Sequence, residues 1–115
     1  MRRRPVYPHT KTDLPGETVY QLRIELEQSQ RALADKCNPR VNHTTIRRLE
    51  NNLGFKKNTL DRVAKALDVH PVLLFYPPEV AKRLARFPIE RQRQFLARAA
   101  RQLIFVTRKY IKRHS

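Results

Sequence analysis

Apolar residues recur at three- and four-residue spacing along the first two thirds of the chain, which predicts a series of short amphipathic helices. The first helix is expected over 18–27 with Thr18 as its N-cap, and the second over 29–37 with Ser29 in that role. The positions predicted to be buried in these two helices are Val19, Leu22, Leu26, Ala32, Leu33 and Cys37.

Three further helices are predicted in the middle of the chain. Asn42 is expected to cap the third helix, and Gly54 to close it in a left-handed conformation. Asn58 and Asp61 approximate a capping box for the fourth, and a short fifth helix is expected over 71–76. The predicted inner positions are Ile46, Leu49, Leu53, Leu60, Val63, Ala64 and Leu67. The pattern therefore predicts a five-helix, all-α unit.

The pattern changes after two consecutive prolines at positions 77 and 78, where a short helix (79–86) and a long one (88–112) are expected. The apolar side of the long helix comprises Ile89, Leu96, Ala99, Ala100, Leu103, Val106 and Tyr110. Its other side carries Arg91, Arg98, Arg101, Arg108, Lys109 and Lys112. An apolar side of this size is covered either by the five-helix unit or by a second copy, and we expect a homodimer.

The charge of the chain is divided unequally among these segments. Of 115 residues, 25 are Lys or Arg and 10 are Asp or Glu, which gives a formal charge of +15. Residues 1–17, a predicted flexible arm, carry +2, the five-helix unit (18–76) carries +4, and the basic helical extension (77–115) carries +9. Such an excess indicates a polyanionic partner, which is either a nucleic acid or an anionic membrane surface.

Several classes of protein do not fit this composition. The longest apolar runs, 72–76 and 103–106, are too short for a membrane span, and the basic start lacks the apolar block of a signal peptide, so we expect a cytoplasmic location. One cysteine, Cys37, and four scattered histidines predict neither a disulfide nor a metal site, and no cofactor is expected. Without paired carboxylates, the chain is not expected to be an enzyme.

The segments SQRALADKC at 29–37 and NHTTIRRLEN at 42–51 resemble the helix-turn-helix of the Xre family, to which the phage Cro and lambda-type repressors belong. The resemblance continues through NTLDRVAKALDV at 58–69 and covers residues 18–76, about half of the chain. It implies a five-helix, lambda-repressor-like domain that binds double-stranded DNA and places its third helix, 42–52, in the major groove.

Carried over residue by residue, the resemblance assigns the exposed side of the third helix to DNA. His43, Thr44 and Arg48 fall where members of the family contact bases, and Arg48 suits a bidentate contact with guanine. The predicted contacts with the DNA backbone are Gln30, Arg40, Thr45, Arg47, Asn51, Lys56 and Lys57. Arg23 and Glu50 occupy the positions of a structural ion pair that orients the third helix. A solvated surface position is the alternative for the exposed charges.

The turn before the third helix departs from the family pattern. Residues 38–42 make it about two residues longer, so the resemblance does not define the docking angle on DNA. Val41 is expected to fill the core at this turn, and Arg40 to reach a phosphate.

Together these features predict a sequence-specific transcription regulator, a repressor, that binds DNA as a homodimer and associates with the nucleoid when bound. Residues 2–4, three arginines, are expected to enter a minor groove. Two alternatives concern the basic extension at 77–115. It could bind a protein partner, as in an antitoxin-type module, or it could lie on an anionic membrane surface as a basic amphipathic helix.

Overall fold

A computed structural model describes residues 14–99, and within this range the chain forms only helices and the turns between them. The helices are α1 (Gly16–Glu25), α2 (Gln30–Lys36), α3 (His43–Glu50), α4 (Lys57–Ala66), a 3₁₀ helix (Pro71–Phe75), α5 (Pro78–Ala85) and α6, which begins at 89 and is helical to the last described residue, 99. The predicted all-α helix-turn-helix fold is confirmed. Most of the predicted arm and the predicted helix beyond residue 99 lie outside the described residues.

The first helix begins two residues earlier than predicted, because Thr18 is not its N-cap. Pro15 precedes α1, and Thr18 lies buried inside the helix, where its hydroxyl donates a hydrogen bond to the carbonyl of Tyr76 (2.6 Å). The helix also ends before Leu26, which is 48% exposed and not buried as predicted. A threonine at this position therefore connects the start of the domain to the end of the 3₁₀ helix.

The N-caps predicted for the second and third helices are confirmed. Ser29 Oγ accepts a hydrogen bond from the N–H of Ala32 (3.0 Å), and Asn42 Oδ1 accepts one from the N–H of Thr44 (2.9 Å). Each side chain satisfies a backbone donor that the first turn of a helix leaves without a partner. The fourth helix differs, because Asn58 lies within α4 and the N-cap is Lys56, so the predicted capping box is wrong.

Three helices end in a left-handed residue that is not glycine. Glu27, Asn52 and Asp68 have φ values of 56°, 57° and 60° after α1, α3 and α4. After α3, the N–H of Leu53 donates to the carbonyl of Arg48 (2.9 Å), which is the Schellman arrangement. The prediction that Gly54 closes α3 is therefore wrong by two residues, and Leu53 lies beyond the helix with 64% of its surface exposed, not in the core.

The core forms where the apolar sides of the helices meet. Its members include Val19, Leu22, Leu33, Ile46, Leu49, Leu60, Val63, Ala64, Leu67, Leu73, Leu74, Ala81, Leu84 and Leu96. Ala32, predicted to be buried, is exposed, and Ala34 is buried in α2 in its place. Cys37 is buried in this core, and burial raises the pKa of its thiol, as expected for a packing residue.

The first part of the basic extension packs against the five-helix unit. Helix α5 lies on α1, and α6 is connected to the end of α4 through Gln92, whose side chain is completely buried. Gln92 Oε1 accepts a hydrogen bond from the N–H of His70 (2.9 Å), and its Nε2 donates to the carbonyls of Phe87 (2.9 Å) and Asp68 (3.4 Å). As far as residue 99, the apolar side predicted to need a cover is covered by the chain itself.

Replacing Gln92 with alanine should lower the free energy of unfolding by about 2–4 kcal/mol, because it breaks three part-buried hydrogen bonds to the backbone and opens a cavity at a fully buried side chain. Chemical denaturation monitored by circular dichroism measures the change. Gln94→Ala, two residues away on the exposed side of α6, is the matched control and should change stability by less than about 0.5 kcal/mol. Equal effects of the two substitutions would contradict the role assigned to Gln92.

Candidate nucleic-acid interface

Two buried residues determine which side of α3 faces outward. Ile46 and Leu49 are fully buried against α1 and α2, so the residues between them project into solvent. Of the residues predicted to contact DNA, His43, Arg47, Arg48 and Asn51 are exposed, whereas Thr44 and Thr45 are half-buried. An exposed helix face with two arginines is therefore available to a ligand.

One groove lies at the amino end of α3, and another lies beside Thr45 and Arg48 of the same helix. The first, next to α2, is lined by Arg31, Ala34, Asp35, Arg40, Val41, Asn42 and His43. The second, next to the start of α4, is lined by Thr45, Arg48, Gly54, Phe55, Lys56 and Thr59. We call the exposed side of α3, the basic residues that line these grooves and Lys57, the first residue of α4, the α3 surface. Its members are Arg31, Arg40, His43, Thr44, Thr45, Arg47, Arg48, Lys56 and Lys57.

The α3 surface is strongly basic. Asp35 is the acidic residue lining its grooves, and it forms an exposed ion pair with Arg40 at 3.4 Å. Within residues 14–99, neither Arg47 nor Arg48 forms an ion pair, and the same holds for Lys56 and Lys57. The amino end of α4 adds a positive helix-dipole end beside Lys57. The surface therefore suits a large anion.

A buried ion pair connects α1 to the end of α3. The Arg23 guanidinium donates two hydrogen bonds to Glu50, from Nε to Oε2 (2.6 Å) and from Nη2 to Oε1 (2.9 Å), and the two side chains are 8% and 5% exposed. Arg23 also donates to the carbonyl of Gln28 (2.8 Å), and its guanidinium lies 5.4 Å from the ring centre of Tyr20. The hydrogen bonds to Glu50 raise the pKa of Arg23. The structure thus brings together the two residues predicted to orient α3.

Two residues predicted to contact the DNA backbone have partners within the chain. Gln30 donates from Nε2 to Glu50 Oε1 (3.1 Å), so it extends the ion pair to α2. Asn51 donates from Nδ2 to the carbonyl of Arg47 (2.9 Å), where it caps the last turn of α3. A contact between either side chain and a phosphate would use the remaining amide atoms.

The longer turn before α3 packs closely on the domain. The N–H of Val41 donates to the carbonyl of Ala34 (3.2 Å), and its side chain packs against the core, while Arg40 extends into solvent. The turn also faces Arg31 across the first groove. Sequence reasoning did not select Arg31, although its exposed position in the first turn of α2, next to Gln30, was the available signal.

The described residues hold no group of three His, Cys, Asp or Glu side chains that could bind a metal ion. Within the same residues, no helix is long and apolar enough to span a membrane. The charged members of the α3 surface are arginines and lysines, which donate hydrogen bonds and suit an anionic ligand.

A comparison with models of protein families finds that a helix-turn-helix family, HTH_3, matches residues 19–74, from α1 to the 3₁₀ helix. A comparison with curated proteins returned no match, and neither did a comparison with solved structures. The matched segment contains both helices of the motif, α2 and α3, and the Arg23–Glu50 pair that joins them to α1.

Proposed function

Residues 19–74 make this chain a member of the HTH_3 helix-turn-helix family, and on that basis we propose that it binds double-stranded DNA sequence-specifically and represses transcription. The predicted Xre-type helix-turn-helix is confirmed, and with it the general class of DNA-binding transcription regulators. The observation that supports the proposal most strongly is the α3 surface, an exposed helix with Arg47 and Arg48 between two basic grooves.

Helix α3 has the dimensions to enter the major groove, which is about 12 Å wide. Its outward side chains then face base edges, with Arg48 donating two hydrogen bonds to guanine O6 and N7. Thr44 contacts a base or a thymine methyl group, and His43, in the first turn after the Asn42 cap, contacts a neighbouring base. These three residues carry the proposed sequence specificity.

The cations around α3 contact phosphates and fix the register of the protein on the duplex. Arg31 and Arg40 approach the backbone on the α2 side, and Lys56 and Lys57 on the α4 side. In a plot of the logarithm of the binding constant against the logarithm of the salt concentration, each neutralised phosphate makes the slope more negative by about 0.9. The Arg23–Glu50 pair contacts no DNA in this arrangement and holds α3 on α1.

We further propose that the protein binds as a homodimer in the cytoplasm, with two copies of α3 in half-sites about one helical turn apart. Leu53 and Phe55 support this proposal, since both are exposed apolar side chains in the turn after α3 (64% and 41%). Measuring the solution mass with and without a two-fold symmetric operator tests it. The membrane-surface alternative loses support through residue 99, because Leu96 and Ala99 are buried in the core.

Replacing Arg48 with alanine should weaken binding to the preferred DNA site by about 1–3 kcal/mol and relax specificity at one base pair. The site is first obtained by selection from a random DNA pool, and affinities are then measured by gel shift. Lys57→Ala is the matched control, because a lost phosphate contact should weaken all sequences alike and reduce the salt slope by about 1. Unchanged preferred-site affinity in the Arg48 variant would contradict the proposed base contact.

A further inference from the structure

A third groove, lined in part by aromatic residues, lies between α5 and α6. It is lined by Leu84, Phe87, Arg91, Gln94, Phe95 and Arg98. Its apolar lining residues, Leu84, Phe87 and Phe95, are called its floor here, and Phe87 is 40% exposed. We call this feature the α5–α6 groove. An exposed aromatic side chain on the floor of a groove is the kind of surface that a partner side chain covers.

The rim of the α5–α6 groove is cationic, and in the described part of the chain no acidic side chain lines the groove to balance the charge. Arg91 and Arg98 are exposed, and neither forms an ion pair within residues 14–99. The Arg91 guanidinium lies over the Phe87 ring, 5.7 Å from its centre, so charge and apolar surface adjoin. Arg91 and Arg98 are seven residues apart on one helix, which places them about 10 Å apart along its axis.

The α5–α6 groove is separate from the α3 surface. Gln92 connects α6 to the carbonyl of Asp68, just beyond the carboxyl end of α4, whereas Lys57 of the α3 surface begins the same helix. Ten helical residues separate the two ends of α4, a length of about 15 Å. The contacts proposed between α3 and DNA do not include Arg91 or Arg98.

The charge of the chain argues against its own segments as the occupant. Residues 1–13 contain four basic residues and one acidic residue, and residues 100–115 contain five basic residues and none that is acidic. A second copy brings a formal charge of +15. Each of these would place cations against Arg91 and Arg98, so the complementary occupant is an acidic segment of a different molecule.

We propose that the α5–α6 groove binds an acidic amphipathic helix of a partner protein. Two carboxylates, two turns apart on that helix, pair with Arg91 and Arg98, and an apolar side chain between them covers Phe87. A nucleic acid backbone would satisfy the arginines but would bring no aliphatic side chain to the apolar floor, which favours a protein. The proposal goes beyond DNA binding and gives the regulator a site for a protein partner.

A designed peptide tests the proposal with the full chain. A labelled helical peptide carries glutamates at two positions seven residues apart and leucines at the third and fourth positions between them, and a matched peptide carries lysines in place of the glutamates. Fluorescence anisotropy should show saturable binding of the acidic peptide only. The double substitution Arg91→Glu and Arg98→Glu should weaken this binding at least about tenfold and allow the lysine peptide to bind.

Control variants separate a specific groove from general attraction. Arg83→Glu with Arg93→Glu changes the net charge equally at exposed positions outside the groove and should retain binding of the acidic peptide. Phe87→Ala keeps every charge and should still weaken binding, because it removes the apolar floor. Equal losses in the two charge-reversed variants, or no binding of the acidic peptide to the unmodified chain, would overturn the proposal.

Two further measurements identify a different occupant. If the Arg91 and Arg98 reversal lowers affinity for the selected operator more than the Arg83 and Arg93 reversal does, the groove contacts DNA and the proposal is wrong. If the reversal changes the solution mass of the protein instead, the occupant is a second copy, and the proposal is again wrong. Operator binding by the unmodified chain is measured in parallel, so failure of the groove proposal is distinguishable from failure of the DNA-binding proposal.

Discussion

Replacing Glu50 with alanine should lower the free energy of unfolding by about 3–5 kcal/mol, because it leaves the Arg23 guanidinium buried without its counter-ion. The two side chains are 8% and 5% exposed and share two short hydrogen bonds, so water cannot readily replace the lost carboxylate. Gln30 also loses its partner Glu50 Oε1. Urea denaturation monitored by circular dichroism measures the loss.

An exposed ion pair elsewhere in the domain provides the matched control. Glu25 and Arg86 lie 3.6 Å apart with most of the Arg86 side chain in solvent, and Glu25→Ala should cost less than about 1 kcal/mol. The double variant Arg23→Met with Glu50→Leu should recover much of the stability, because it removes both charges and fills the space. A cost for Glu50→Ala as small as that for Glu25→Ala would show that the Arg23 guanidinium does not depend on Glu50 as its counter-ion.

The same double variant separates stability from function. The charged pair constrains the orientation of α3 relative to α1 as well as holding the two helices in contact. Both hydrogen bonds from the Arg23 guanidinium are aligned on the one carboxylate of Glu50. Leucine and methionine impose no such geometry. If the pair orients α3 on DNA, the refilled variant should fold well and still lose preference for the selected operator.

The parts of the fold that depend on neighbouring residues could be predicted from the sequence. Ser29 and Asn42 cap their helices through bonds that span two or three residues, so their chemistry and position suffice. The apolar spacing of Ile46 and Leu49 likewise determines which side of α3 faces solvent. The resemblance to the Xre family, and not these local signals, assigned the residues of the α3 surface other than Arg31 to DNA.

The features that were missed depend on distant residues or on unusual backbone. Thr18 is typical of an N-cap, but its hydroxyl bonds to Tyr76, 58 residues away, and this contact cannot be inferred from local spacing. Gln92 was not selected because a glutamine in a basic helix usually faces solvent. The ends of α1 and α3 were misplaced because Glu27 and Asn52 adopt the left-handed conformation in which glycine is expected.

The Gln92 contacts bear on how the two proposed surfaces relate. Helices α5 and α6 belong to the same packed unit as α3, because α5 lies on α1 and α6 is hydrogen-bonded to the turn after α4. A partner bound in the α5–α6 groove would therefore contact helices that pack directly on the DNA-binding domain. DNA binding and peptide binding can both be measured on the same folded chain. Gln92 variants then test whether α6 must remain packed on the turn after α4 for both activities.

Replacing Gly16 with alanine should lower the free energy of unfolding by about 3 kcal/mol, the upper part of the range for overpacking. A Cβ atom built on Gly16 lies 2.7 Å from the carbonyl oxygen of Leu49 and 2.6 Å from Asn52 Oδ1, and it clashes with the carbonyl of Glu50 as well. Two of these atoms belong to the backbone of α3 and its end, so the helices must separate. Thermal and urea unfolding measure the effect.

The expected change in stability has the opposite sign to that of the same substitution in an ordinary helix, where replacing glycine with alanine is favourable by about 1 kcal/mol. Glu17→Ala, at the next and exposed position of α1, is the control and should cost less than about 1 kcal/mol, since it removes one exposed hydrogen bond from Gln21 and the acidic side chain of the first turn. Adding Asn52→Ala to Gly16→Ala removes only the clash with the side chain of Asn52. It also removes Asn52 Oδ1, which accepts a hydrogen bond from the N–H of residue 16 (2.9 Å). The double variant should therefore not recover the lost stability. Full recovery in the double variant would mean that the carbonyls of α3 can move aside, and that α1 and α3 are not held together as closely as the proposed orientation of α3 on DNA requires.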